Sequence, residues 1–145
     1  GTDKPDSNRL WRYFHNLYGV LVLNDKFGLT LGFDFGQEQL NRGSRKLHSW
    51  FSPVCILRYA IQNNWAIALR AEYFNDAKGV IVSTGTQNGF KTFGCSLNID
   101  KAIGRNILWR AEFRILSSRD NIFLKDTDLT NKNTAITSSL VSKFW

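Results

Sequence analysis

Phe27-Gly28-Leu29-Thr30-Leu31-Gly32-Phe33-Asp34-Phe35-Gly36 decides the fold. Every odd-numbered residue in it is Phe or Leu, and every even-numbered one is Gly, Thr or Asp. A repeat of two puts the large apolar groups on one face of an extended strand and leaves the other face small and polar. The alternation recurs along the chain. Trp65, Ile67, Leu69, Ala71 and Tyr73 stand against Ala66, Ala68, Arg70 and Glu72. Phe93, Cys95, Leu97 and Ile99 stand against Thr92, Gly94, Ser96 and Asn98. Ile107, Trp109, Ala111, Phe113 and Ile115 stand against Leu108, Arg110, Glu112 and Arg114.

Seven strands are expected: Trp11 to Leu23, Phe27 to Gln37, Trp50 to Ile61, Trp65 to Phe74, Phe90 to Ile99, Ile107 to Leu116 and Asn133 to Trp145. Short turns at Asn24-Asp25-Lys26, Gln62-Asn63-Asn64 and Asp100 to Arg105 alternate with long loops at Leu40 to His48, Asn75 to Asn88 and Ser117 to Lys132. Asn, Asp and Gly supply the turn chemistry. In the second long loop, Val80-Ile81-Val82 reads as an extension of a hairpin. Short turns on one side and long loops on the other are the pattern of an outer-membrane barrel, with the short turns in the periplasm. The expected fold is therefore all-β, an antiparallel up-and-down transmembrane β-barrel with about seven or eight strands in this chain. Residues 1–10 read as a polar tail or loop remnant, and residues 11–145 as the barrel segment. This alternation puts the start of the first strand on the outer side. A complete bacterial barrel has both ends in the periplasm and an even strand count. The count thus suggests part of a larger barrel, unless the first ten residues hide a further strand.

Composition agrees. Of 145 residues, 43% are hydrophobic, and the longest apolar run, Leu17 to Leu23, is broken by Gly19. A spanning helix needs about 20 apolar residues, so helical spans are excluded, whereas barrel strands need an apolar residue only at every second position. The net charge is +7. No basic run is interleaved with aromatics, so nucleic acid is not an expected partner. Cys55 and Cys95 fall on strands separated by one other, about 10 Å apart at ~4.8 Å per strand. That is too far for a disulfide. No Cys/His spacing suits a metal, and no cofactor is expected.

Alternation alone does not say which face meets lipid. A soluble lipocalin-like barrel with an apolar ligand would put the apolar face inside. Three features favour the membrane. The polar face is rich in Gly, Ser and Ala, which suits a confined lumen. Arg58, Arg70, Arg110 and Arg114 fall within strands, while most lysines fall in turns, loops and strand ends; arginine suits bidentate pairing in a confined space. Trp50, Trp65, Tyr73, Trp109 and Trp145 include several near strand ends, as an interfacial aromatic girdle requires. The expected pore-lining set is Asp34, Arg58, Arg70, Glu72, Arg110, Glu112 and Arg114, either as a structural ladder of cross-strand pairs or as a selectivity lining. Phe144 and Trp145 stand where a barrel assembly signal ends, although Ser138 and Ser142 interrupt the apolar face leading to Phe144. His15 and His48 have no nucleophile elbow beside them. An outer-membrane enzyme remains an alternative on this fold class, and no catalytic residue is assigned.

Three groups of segments carry a family resemblance. The first is Leu69-Arg70-Ala71-Glu72-Tyr73-Phe74-Asn75-Asp76 followed by Gly79-Val80-Ile81. The second comprises Gly89-Phe90 through Leu97-Asn98, Ile107-Leu108-Trp109-Arg110-Ala111-Glu112-Phe113-Arg114 and Ser118-Arg119-Asp120. The third is Asn133-Thr134 to Phe144-Trp145. From about Leu17 onward the chain resembles the C-terminal portion of the OmpL-like porin family of outer-membrane β-barrel proteins. The resemblance implies a Gram-negative outer-membrane barrel that acts as a passive, porin-like channel in proteins longer than this one. The implied partners are outer-membrane lipid, the β-barrel assembly machinery and small solutes.

Overall fold

A computed structural model describes residues 9–143. The chain runs β1 (Arg12–Val22), β2 (Phe27–Gln39), β3 (Leu47–Ala60), β4 (Trp65–Asp76), β5 (Phe90–Ile103), β6 (Ile107–Ser118), β7 (Phe123–Lys125), β8 (Asp128–Thr130) and β9 (Lys132–Ser142). There is no helix among the described residues. Seven strands form one antiparallel sheet in the order β1-β2-β3-β4-β5-β6-β9, and β7-β8 is a separate small hairpin. The seven long strands have 11 to 14 residues. At ~3.3 Å per residue and ~45° of tilt they rise about 26–33 Å, close to the thickness of a bilayer core.

The short turns form for local reasons. Asn24 Oδ1 accepts the N–H groups of Lys26 and Phe27, both at 2.9 Å. Asn63 and Asn64 have φ of 59° and 61°, two left-handed residues in succession, as a type I′ hairpin turn requires. The sheet strands mostly extend the expected ones. β5 continues through Asp100 to Ile103, so part of the turn expected at Asp100 to Arg105 is strand. Val80-Ile81-Val82 does not extend a hairpin: no strand forms there, because these amides are taken by a side chain described below. The third long loop instead carries β7 and β8, joined through Asp126 at φ 55°.

The register sorts β2, β4, β5 and β6 into the two expected faces. Leu29, Leu57, Leu69, Leu97 and Phe113 stand level on one face across five strands. Leu69-Arg70-Ala71-Glu72-Tyr73 and the similar Trp109-Arg110-Ala111-Glu112-Phe113 are staggered: Leu69 is level with Phe113, and Trp65 with Trp109. Such a stagger is what inclined barrel strands need.

Burial is inverted relative to a soluble protein. The buried polar and charged residues are Glu38, Asp76, Thr92, Ser96, Asn98, Asp100 and Ser118, whereas the only buried hydrophobic residues among those described are Trp50 and Ala66. All nine lie on the polar face by register. The sheet curls around its polar face and leaves the apolar one outside. A lipocalin-like barrel requires the opposite.

The outer face carries two aromatic rows. Phe33–Phe51 and Phe51–Tyr73 have centroids 6.3 and 6.1 Å apart near the long loops. Phe27–Tyr59 at 4.7 Å and Trp65–Trp109 at 6.3 Å lie near the short turns, with the Lys101 ammonium 4.8 Å from the Trp65 ring centre. Between the rows the outer face holds Leu, Ile, Ala, Cys, Phe and Pro on β3 to β6, with no charge. This is the banded surface of a membrane barrel. Trp65, Tyr73 and Trp109 belong to these rows as expected. Trp50 does not: it points to the polar face opposite Gly36 and is 8% exposed. Trp145, with Phe144, lies outside the described residues. Cys55 and Cys95 flank Ala71 on the outer face and are free thiols, as expected. Ser138, also outward, accepts the Trp109 indole N–H at 3.0 Å.

Candidate functional site

The polar face is the candidate site. Its midpoint is a cluster of Arg70 and Glu72 on β4 and Arg114 on β6, which meet across β5. Arg70 and Arg114 stand level, with Ser96 between them. The Glu72 carboxylate accepts from both guanidinium groups. It can do so because it faces Gly94: a Cβ built there would lie 2.7 Å from the Glu72 side chain and 3.0 Å from Leu116. Glycine thus leaves a slot through which Glu72 reaches across β5.

Nearer the short turns, Arg110 grips Asp100 with two bonds, Nε at 2.6 Å and Nη2 at 2.7 Å. The planar fork of arginine matches a carboxylate in this way. Glu112 accepts from Asn98 at 2.9 Å, and Asp34 accepts from Asn16 at 2.6 Å. Arg58 stands opposite Gly28 and Ala68 and makes no ion pair among the described residues. The arginines of these pairs are about 40% exposed on their side chains, so each pair contributes at most about 1 kcal/mol.

Nearer the long loops the face becomes aromatic. Phe14 stacks on Trp50 at 5.6 Å, Trp50 on Phe74 at 5.5 Å, and Phe74 meets Phe90 edge-on at 5.5 Å. Trp50 fits because Gly36 lies under its indole: a Cβ there would sit 2.3 Å from Nε1. Above this row Arg12 Nε donates to Glu38 at 2.7 Å.

All seven residues expected to line the lumen therefore share one face by register: Asp34, Arg58, Arg70, Glu72, Arg110, Glu112 and Arg114. Arg70, Glu72 and Arg114 come together, while Arg110 pairs outside that set. Arg12, Glu38, Asp76 and Asp100 share the face and are additions to it. Parity could have found three of them: Glu38 is two residues past Gly36, Asp76 two past Phe74, and Asp100 two past Asn98. The additions matter for charge. Within the sheet the face holds Arg12, Arg58, Arg70, Arg110 and Arg114 against Asp34, Glu38, Glu72, Asp76, Asp100 and Glu112. Five cations meet six carboxylates, and the arginine surplus of the seven-residue set disappears. No cluster of three or more metal-ligating side chains occurs among the described residues.

Compared with known proteins, the chain matches one family over residues 1–144, described as "Putative beta-barrel porin-2, OmpL-like". The chain belongs to that family. No curated protein and no solved structure matches it. The family implies an outer-membrane location.

Proposed function

We propose that this member of the OmpL-like porin family forms the wall of a passive outer-membrane channel for small solutes, with its polar face toward the water-filled path. The observation that carries this reading is the inverted burial: carboxylates, amides and hydroxyls inside, Leu, Phe and Ile outside. The outer band would contact outer-membrane lipid, and the strands would be delivered by the β-barrel assembly machinery. Both edge strands, β1 and β9, run in the same direction. An antiparallel closed barrel therefore needs an odd number of further strands between them.

The charged ladder is read as structural first. Arg12, Arg70, Arg110 and Arg114 all have carboxylate partners, and the near balance of charge favours weak ion selectivity. No step of this function is catalytic. The test is purified protein in planar lipid bilayers. Stepwise, ohmic conductance with a reversal potential near zero in a salt gradient is expected. Absence of conductance in protein that is folded in lipid would overturn the channel reading.

A further inference from the structure

Resting on the channel reading above, we propose that Asp76 is a positioning residue that holds segment 77–89 across the mouth of the path, so that this segment, rather than the strand wall, sets the size of solute that passes. Asp76 ends β4 on the polar face, level with Phe90 of β5. It is 0% exposed, which is rare for a carboxylate. Its oxygens accept three successive backbone amides from the following loop: Val80 at 2.8 Å, Ile81 at 2.7 Å and Val82 at 2.9 Å. Three N–H donors on one anion replace the water it has lost, and they bend the loop back onto the end of its own strand.

The bend sends the loop inward. Arg12 Nη2, on the far edge strand, donates to the Val80 carbonyl at 3.3 Å across 68 residues of sequence. β1 and β4 are separated by β2 and β3, about 14 Å along the sheet at ~4.8 Å per strand. An arginine side chain cannot cover that distance alone, so the loop must cross part of the curled face to meet it. Its path runs above the Phe14–Trp50–Phe74 row, where Trp50 and Glu38 are nearly sealed from solvent. The other end of the segment is fixed too. Asn88 donates to Asp120 from its backbone N–H at 3.0 Å and its side-chain amide at 2.7 Å. Gly89 turns back at φ +65°, where a Cβ would strike the Asp76 carbonyl at 2.6 Å. The strap is thus anchored on β4, β1 and the β6–β7 loop.

The test compares wild type, Asp76→Asn and Asp76→Ala in planar bilayers and in liposome-swelling assays with sugars of increasing size. Asp76→Ala is expected to raise single-channel conductance and admit sugars that wild type excludes. Asp76→Asn, which keeps one acceptor oxygen, is expected to fall between the two. Because Asp76→Ala could unfold the protein, a second arm uses Arg12→Cys with Val80→Cys in a background with Cys55→Ala and Cys95→Ala. A short bifunctional thiol reagent should join these two positions and leave the wild-type size limit in place. Failure to cross-link, or a conducting Asp76→Ala protein with unchanged conductance and size limit, would overturn the proposal and leave the channel reading standing. A silent wild-type protein would overturn both.

Discussion

Replacing Leu69 by arginine tests which face meets lipid and at what depth. Leu69 points outward, 51% exposed, level with Leu57 and Leu97. It lies midway along β4 between Trp65 and Tyr73, which belong to opposite aromatic rows. That places it at the centre of the apolar band, where an arginine on the lipid face costs about 2–4 kcal/mol. Ile103 also points outward but lies beyond the Trp65–Lys101–Trp109 row, at the end of β5. There Ile103→Arg should cost ~0–1 kcal/mol, because the guanidinium reaches the headgroups. The assay is reversible guanidinium chloride unfolding of vesicle-embedded protein, followed by tryptophan fluorescence. Leu69→Arg is expected to lose at least about 1 kcal/mol more than Ile103→Arg. Equal losses at the two sites would refute the depth assignment. Losses below ~0.5 kcal/mol at both would show that the face meets water.

Further expectations follow from the polar face and its loops. Gly94→Ala would drive a methyl into the Glu72 carboxylate and should destabilise the protein by about 1–3 kcal/mol in the same unfolding assay. A neutral result there would mean that the Arg70–Glu72–Arg114 cluster is not held as described. Arg110→Ala would leave the Asp100 carboxylate without its two-bond partner; the reversal potential should shift toward cation preference, with a stability loss of about 1 kcal/mol given the half-exposed guanidinium. An unchanged reversal potential would show that these residues do not face the ion path. In the loops, the side-chain amide of Asn88, then Thr86, then the Asn88 backbone N–H hold the Asp120 carboxyl below its ordinary pKa. A depressed folded-state value means that this tie is present above the ordinary carboxylate range and is lost as pH falls through the folded pKa. Protection of the Asn88 amide, taken relative to its intrinsic exchange rate at each pH, should therefore fall at acid pH, and Asp120→Ala should remove it at neutral pH. Protection indifferent to both would remove the tie.

Strand faces were legible in β2, β4, β5 and β6 because a period of two survives there, whereas in β3 the run Pro53-Val54-Cys55-Ile56-Leu57 is apolar on both faces. Strand ends were less so. Beyond the aromatic row on the long-loop side the outer face turns mostly polar, as at Gln37, Gln39, Ser49, Asn75 and Ser117. Alternation loses its contrast there, and the expected strands stopped short. The cost was functional: Glu38 and Asp76 sit in those extensions and Asp100 in a stretch with turn composition, and without them the face looked richer in arginine than it is. Trp50 was misplaced for a different reason. A tryptophan near a strand end suits either an interfacial row or an inward site, and only the facing Gly36 decides, through a cross-strand register not written in β3 itself. Val80-Ile81-Val82 has the composition of a strand, but a carboxylate four to six residues upstream takes its amides first. Local propensity yields here to a buried charge that must be satisfied.

The central claim is that the apolar face is outside and meets lipid. It is tested most directly by the state of the protein in plain buffer and in mild detergent, by size exclusion and circular dichroism, with gel mobility before and after boiling. A β-rich monomer in detergent alone, with mobility that changes on boiling, is the predicted result. A β-rich, well-behaved monomer in buffer without detergent would contradict the account, because a Phe, Leu and Ile band of this extent cannot stay exposed to water on a lone soluble protein.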